Sequence, residues 1–139
     1  MFHLITGGSG SGKSAFAEAQ VLAAGEGKRF YIATMIPYGE DGRQRVERHR
    51  KMRKEKQFET VECYTNLSSL DFPEDSIVLL ECMSNLAANE IFSDGMMYDA
   101  DTLRYLSYLG RINQEMAEIA DRVTEVVYGI PVNVKDTSK

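Results

Sequence analysis

No stretch of this chain approaches the ~18 consecutive apolar residues that a membrane-spanning helix needs. Cysteine is nearly missing. Cys63 and Cys82 lie far apart and have neither CxxC nor metal-ligand spacing. That excludes a disulfide framework and a cysteine metal site, and points to reduced thiols in a reducing cytoplasm. The chain as it stands begins inside a strand-like run, with no basic n-region and no apolar h-region, so no secretory signal is expected. Internal repeats and low-complexity segments are absent. Positive charge is also short overall: 16 Lys and Arg against 21 Asp and Glu leave a net charge of −5, which argues against general nucleic-acid binding. What remains, 139 residues with 43% hydrophobic and 27% charged content, is the make-up of a single soluble domain with one real core.

The most specific thing present is a phosphate loop. Gly7-Gly8-Ser9-Gly10-Ser11-Gly12-Lys13-Ser14 satisfies G-x-x-x-x-G-K-[ST] in full. It follows the apolar run Phe2–Thr6, which reads as a strand, and precedes the alanine-rich stretch to Ala24, which reads as a helix. Glycine lets backbone N–H groups approach phosphate oxygens, and the helix N-terminus adds the positive end of its dipole. Lys13 is placed for the β- and γ-phosphates and the Ser14 hydroxyl for Mg²⁺. The bland alternative is a glycine-rich turn without a ligand.

Downstream, strand-like and helix-like segments alternate. Phe30–Thr34, Phe58–Glu62, Ser76–Leu80 and Thr124–Tyr128 read as strands. Pro37, Gly39 and Gly42 mark a loop. Arg43–Lys54 reads as a mostly exposed helix, and apolar residues from Leu103 to Val123 recur at steps of three and four, predicting an amphipathic helix over about 101–122. Gly129-Ile130-Pro131 is expected to turn out of the last strand, leaving Lys135–Lys139 as a frayed tail. This pattern gives an α/β fold of the P-loop NTPase type, with a mainly parallel sheet flanked by helices in one domain over 1–139. Ligands of such sheets lie at the carboxyl ends of the strands. The loop at 7–14, Thr34, Glu62 and Glu81 all fall at expected strand ends and are therefore candidates for one crevice.

Charge is unevenly placed. Residues 43–56 hold eight of the Lys and Arg against two Glu, a local excess of six positive charges. His49 sits in that run, with Arg45 and Arg53 four residues to either side. Cationic neighbours favour the neutral, nucleophilic imidazole and would hold a phosphate against it. The residues alone leave open the commoner fate of a charge run, a solvated helix face. His3 lies within a strand and reads as a packed or edge residue. Glu81 ends an apolar strand, where acidic residues of phosphate-loop proteins orient Mg²⁺ or its waters; Glu62 is a weaker candidate for the same crevice.

These stretches together resemble the bifunctional adenosylcobinamide kinase / adenosylcobinamide-phosphate guanylyltransferase family of cobalamin biosynthesis. The resemblance is carried, in order, by Ile5–Ser14, Tyr31-Ile32-Ala33-Thr34, Arg45-Val46-Glu47-Arg48-His49-Arg50, Thr60-Val61-Glu62-Cys63, Leu79-Leu80-Glu81-Cys82, Leu109–Asn113 and Gly129-Ile130-Pro131-Val132. It implies phosphorylation of the aminopropanol hydroxyl of adenosylcobinamide by GTP or ATP, then transfer of GMP from GTP to that phosphate through a guanylylated histidine, which falls on His49. It places nucleotide contacts on Gly7 to Ser14, on Ala33, Thr34 and Met35, on Arg50, Lys51, Met52 and Arg53, on Glu62 and on Glu81, with Mg²⁺ at Ser14 and Glu81. It implies a homo-oligomer, towards a trimer, with a corrinoid substrate, no nucleic acid and no membrane span. Two alternatives stay open: another phosphate-loop small-molecule kinase, or a nucleotide-binding protein that has lost catalysis.

The sequence departs from the family pattern at one place. After the strand ending at Glu81 the family carries a further helix and core strand of roughly 30 residues. Here Ala87-Ala88-Asn89-Glu90 runs straight into Ile91-Phe92-Ser93-Asp94-Gly95. A helix-plus-strand unit is expected to be missing near 88–91, as a natural short form, an internal deletion or an omitted segment, with apolar sheet edges as the consequence.

Overall fold

The computed structural model of the chain describes residues 1–36, 39–91 and 99–137. Pro37 of the expected loop and Phe92–Gly95 of the expected junction lie outside the described residues. The fold is α/β, with mostly parallel strands flanked by helices, and its described strands form two three-stranded sheets. The chain divides into two compact units, residues 1–23 with 106–139 and residues 24–105.

The first unit holds β1 (His3–Thr6), α1 (Lys13–Ala23), β5 (Arg122–Val127) and β6 (Ile130–Asp136), together with most of α4 (Asp99–Ile119). β5 lies in the middle of its sheet, parallel to β1 and antiparallel to β6. The register sets His3 opposite Arg122 and Thr6 opposite Glu125. Ala17, Val21, Ala120, Val123 and Val126 are buried here. The N-terminus is tied down by Phe2 N–H, which donates to Asp121 Oδ2 at 2.6 Å.

The second unit holds β2 (Arg29–Ala33), α2 (Gly39–Glu55), β3 (Phe58–Glu62), a 3-10 turn at Leu67–Ser69, β4 (Ile77–Glu81) and α3 (Met83–Ile91). β2 is central and pairs in parallel with β3 and β4. Its Phe30, Tyr31 and Ile32 are buried, as a strand covered on both faces requires. Gly27 enters β2 at φ 148, and a Cβ there would meet Asp75 O at 2.6 Å, so only glycine fits.

Besides α3, which the sequence did not announce, two elements differ from the sequence-based expectation. The tail does not fray at Lys135: β6 runs to Asp136, and Thr137 N–H donates to Asp121 O at 2.8 Å. Lys135 Nζ donates to Ala117 O and Glu118 O at 3.0 and 2.8 Å. A cation there satisfies carbonyls at the end of α4 that have no partner in the helix. Pro131 is compatible with this strand because β6 is an edge strand, where a missing N–H costs nothing. Second, α2 starts at Gly39 rather than Arg43. Glu40 and Asp41 occupy its first turn, where acidic groups complement the helix dipole and offset the poor propensity of Gly42.

Candidate functional site

The phosphate loop is built by backbone geometry. Gly10 and Gly12 take φ 73 and 92, which side-chain-bearing residues rarely adopt. A Cβ at Gly7 would fall 2.5 Å from Ser11 Oγ and 2.8 Å from Val126 O. Within the loop, Ser11 N–H donates to Gly8 O at 3.1 Å, and Phe16 N–H donates to Gly12 O at 3.1 Å as α1 begins. Lys13 reaches back over the loop, its Nζ 3.3 Å from Gly8 O. Gly8, Ser9, Gly10 and Ser14 are exposed. A glycine-rich backbone turn, a lysine arched over it and a helix N-terminus beneath are the parts from which anion receptors are built.

The second unit gathers a different cluster by strand register. Ala33 at the end of β2 is opposite Glu62 on one side and Glu81 on the other. Three parallel strands thus end level, with a carboxylate on each outer strand. Each carboxylate is claimed by a neighbour. Tyr31 donates its phenol to Glu81 Oε2 at 2.6 Å. Arg50 of α2 pairs with Glu62, and its other terminal nitrogen lies 3.4 Å from Glu47 Oε1. The Tyr64 phenol is pushed above its ordinary value of 10, first by burial and then by the Glu62 charge beside it.

Beneath this end the contacts are structural. Thr34 is fully buried, and its hydroxyl lies 3.1 and 3.0 Å from Glu81 O and Cys82 O. Asn89 of α3 donates to Thr34 O at 2.7 Å, and Glu90 accepts from Asn66 N–H at 2.5 Å. Arg53 is buried as well. Its guanidinium stacks 4.0 Å above the Tyr31 ring, and its Nε is 3.3 Å from Thr60 Oγ1. Hence Arg53 does not stand beside His49 on a solvated face, because α2 turns Arg50 and Arg53 towards β2 and β3. His49, Arg45, Arg48 and Lys51 are exposed, as is Met52. Of the expected nucleotide contacts around residue 34, Met35 is the most open, 44% exposed, while Ala33 is half-buried. An open groove of about 630 Å³ runs along α2 and the edge of β3, lined by Arg50, Lys54, Phe58 and Glu62 among others.

His3 is a packed strand residue: its Nε2 is 2.8 Å from Thr124 Oγ1 and its ring meets Phe16 edge-on at 6.2 Å. Burial, then the Arg122 charge, hold its pKa below the usual 6.5, against a smaller pull from Asp136.

The phosphate loop, the strand-end carboxylates and the basic helix with its histidine occur in one chain, and a family model matches the stretch that contains them. The model described as cobinamide kinase / cobinamide phosphate guanyltransferase matches residues 3–99. The chain belongs to this family. It is 35% identical over 122 residues to the bifunctional adenosylcobalamin biosynthesis protein CobU of Escherichia coli (strain K12), covering 86% of this chain and 66% of that protein. It is 27% identical to the protein of the same description from Salmonella typhimurium (strain LT2), over 97% of this chain and all of that one. That second alignment runs over 184 positions against a chain of 139 residues, so long gaps open opposite this member of the cobinamide kinase family.

Two residues that hold the strand ends were not singled out from the sequence. Tyr31 and Asn89 brace the strand ends, and neither carries a motif that marks it. The signal for Tyr31 was its position two residues before Ala33, which places both on one side of a parallel strand.

Proposed function

We propose that the chain binds a nucleoside triphosphate at Gly7–Ser14 and acts as both kinase and guanylyltransferase on a cobinamide. The observation that carries this reading is the phosphate loop, with glycines at positive φ and Lys13 folded across its mouth. In the first step the aminopropanol hydroxyl of adenosylcobinamide attacks the γ-phosphorus and a nucleoside diphosphate leaves. The loop N–H groups and Lys13 hold the charge that spreads over the phosphoryl oxygens. In the second step an imidazole nitrogen of His49 attacks the α-phosphorus of GTP and expels pyrophosphate. The cobinamide phosphate then displaces the imidazole and takes the GMP. Exposure of His49 among Arg45, Arg48 and Lys51 supports a role in meeting an anion from solvent.

Mg²⁺ belongs to this reading. Among the described residues no group of three or more His, Cys, Asp or Glu could hold a metal. The exposed Ser14 hydroxyl is a hard oxygen donor of the kind Mg²⁺ takes alongside substrate phosphates, and Glu81 offers a carboxylate or a site for metal-bound water. When bound, the ion neutralises phosphate charge. Ala33, Met35, Arg50, Lys51, Met52 and Glu62 contact nucleotide, while Thr34 and Arg53 hold the strand ends in place. Assembly is a further part. Leu103 and Leu106 on one face of α4 are 69% and 57% exposed, and Ile130, Val132 and Val134 alternate along exposed β6. Such surface fits a homo-oligomer; a trimer and a cytoplasmic setting complete the proposal. No described helix is long and apolar enough to cross a membrane.

The test is intact mass after incubation with GTP and Mg²⁺. A gain equal to GMP, labile to acid and stable to base, is expected. It should vanish in His49→Ala and persist in His3→Ala. Labelling that survives His49→Ala refutes the covalent step. Division of the strands into two sheets favours a second reading, a nucleotide-binding relative without turnover; nucleotide affinity without any mass gain is its outcome.

A further inference from the structure

The turn between β5 and β6 carries a residue that its geometry does not ask for. Tyr128 and Gly129 take φ 49 and 77, and Val127 pairs with Ile130 across them, a two-residue hairpin turn with both central residues left-handed. Asn, Asp or Gly is favoured at the first of these positions, because a short polar or absent side chain tolerates that conformation. Here the position is tyrosine. Its ring is 93% exposed, so it contributes no burial that would offset the backbone cost. A local rule broken without structural gain marks a residue kept for another reason.

Its surroundings suggest that reason. β5 runs parallel to β1, so the carboxyl end of β5 emerges at the same end of the sheet as the phosphate loop. The turn is bonded to that loop: Gly129 N–H donates to Ser11 O at 2.7 Å. The two backbones are nearly touching, since a Cβ on Gly12 would lie 3.3 Å from Gly129 Cα. A large exposed aromatic ring therefore stands at the rim of the loop, at the end of the sheet where ligands bind. We propose that Tyr128 is a stacking platform for the base of the nucleoside triphosphate held by Gly7–Ser14. The proposal rests on the phosphate-loop reading above and extends it from the phosphates to the base. Stacking accepts any base, so it supplies affinity with little choice between GTP and ATP.

Tyr128→Asn separates the two roles of this position, since Asn-Gly is a favoured sequence for such a turn. Calorimetry would be run with GTP, ATP and inorganic triphosphate on the wild type, Tyr128→Asn, Tyr128→Phe and Lys13→Ala. Tyr128→Asn is expected to melt no lower than the wild type. It should bind both nucleotides about tenfold more weakly and inorganic triphosphate equally well. Tyr128→Phe should bind like the wild type, and Lys13→Ala should weaken all three ligands. Because the chain has no tryptophan, the indole of a Tyr128→Trp variant should change its fluorescence with nucleotide and not with triphosphate. Unchanged nucleotide affinity in Tyr128→Asn beside a weakened Lys13→Ala overturns the stacking role alone. An equal loss of nucleotide and triphosphate in Tyr128→Asn overturns it too, since the turn would then act through the loop. Nucleotide affinity that Lys13→Ala leaves intact overturns the phosphate-loop reading, and this proposal with it.

Discussion

The phosphate loop and the strand-end cluster reach order by different means. The loop is made of backbone: its shape depends on glycines, on N–H groups and on Val126 O packed against Gly7. The cluster is made of side chains: Tyr31 on Glu81, Arg50 on Glu62 and Arg53 on the Tyr31 ring. A backbone-built site tolerates almost no added atom. A side-chain-built site loses function by degrees, because each partner contributes a modest and separable amount.

Gly7→Ala should break the first kind outright. The new methyl meets Val126 O, a backbone atom that cannot swing away, at 2.8 Å. The expected cost is about 2 kcal/mol of stability, read as a fall in the urea midpoint, with nucleotide affinity lost as the loop opens. A variant with the parent's midpoint would show that the loop is softer than its contacts imply.

Tyr31→Phe probes the second kind. It removes the phenol that donates to Glu81 and keeps the ring under Arg53. The loss should be about 1 kcal/mol, roughly half that of Gly7→Ala. Equal losses from the two variants would erase the distinction between the regions.

The smallest effect lies in the first unit and depends on pH. The His3 pKa is lowered on folding, so the unfolded chain takes up a proton more readily. Stability is then unaffected by this group above the ordinary value of 6.5, and is lost as pH falls through 6.5 towards the lower folded value. His3→Gln keeps a partner for Thr124 and cannot titrate, so its stability should fall less steeply with acid across that window. Parallel melting curves for the two proteins would remove His3 from the account.

Legibility follows the same division. Gly10, Gly12 and Lys13 announce their arrangement because conformational demands are written into residue type. Glu62 and Glu81 could be placed at strand ends because the strands themselves were legible, and the parallel register brings them level. Hidden were the choices among competing contacts. Arg53 sits four residues from His49 and looked like its companion, yet its guanidinium is taken by Tyr31, a pairing that depends on how α2 rolls against β2. β6 was hidden for another reason. Ile130, Val132 and Val134 alternate as a strand should, but Gly129 and Pro131 are strong turn signals, and the alternation buries neither face. α3 escaped notice because Ala87 and Ala88 carry little periodic signal, although Leu86 and Ala87 are buried.

The pairing of β1 with β5 has a consequence for the order in which the protein is made. Among the described residues β1 finds its strand partner more than a hundred positions later, and Ser11 O receives its bond from Gly129. A ribosome delivers the phosphate loop well before its support. Until that support emerges, the nascent loop has neither β5 nor the hairpin to shape it, and closing so long a span is slow. Nucleotide capture is therefore expected to begin only after β5 and β6 have left the exit tunnel, which would make ligand binding a report that translation has passed the β5–β6 hairpin.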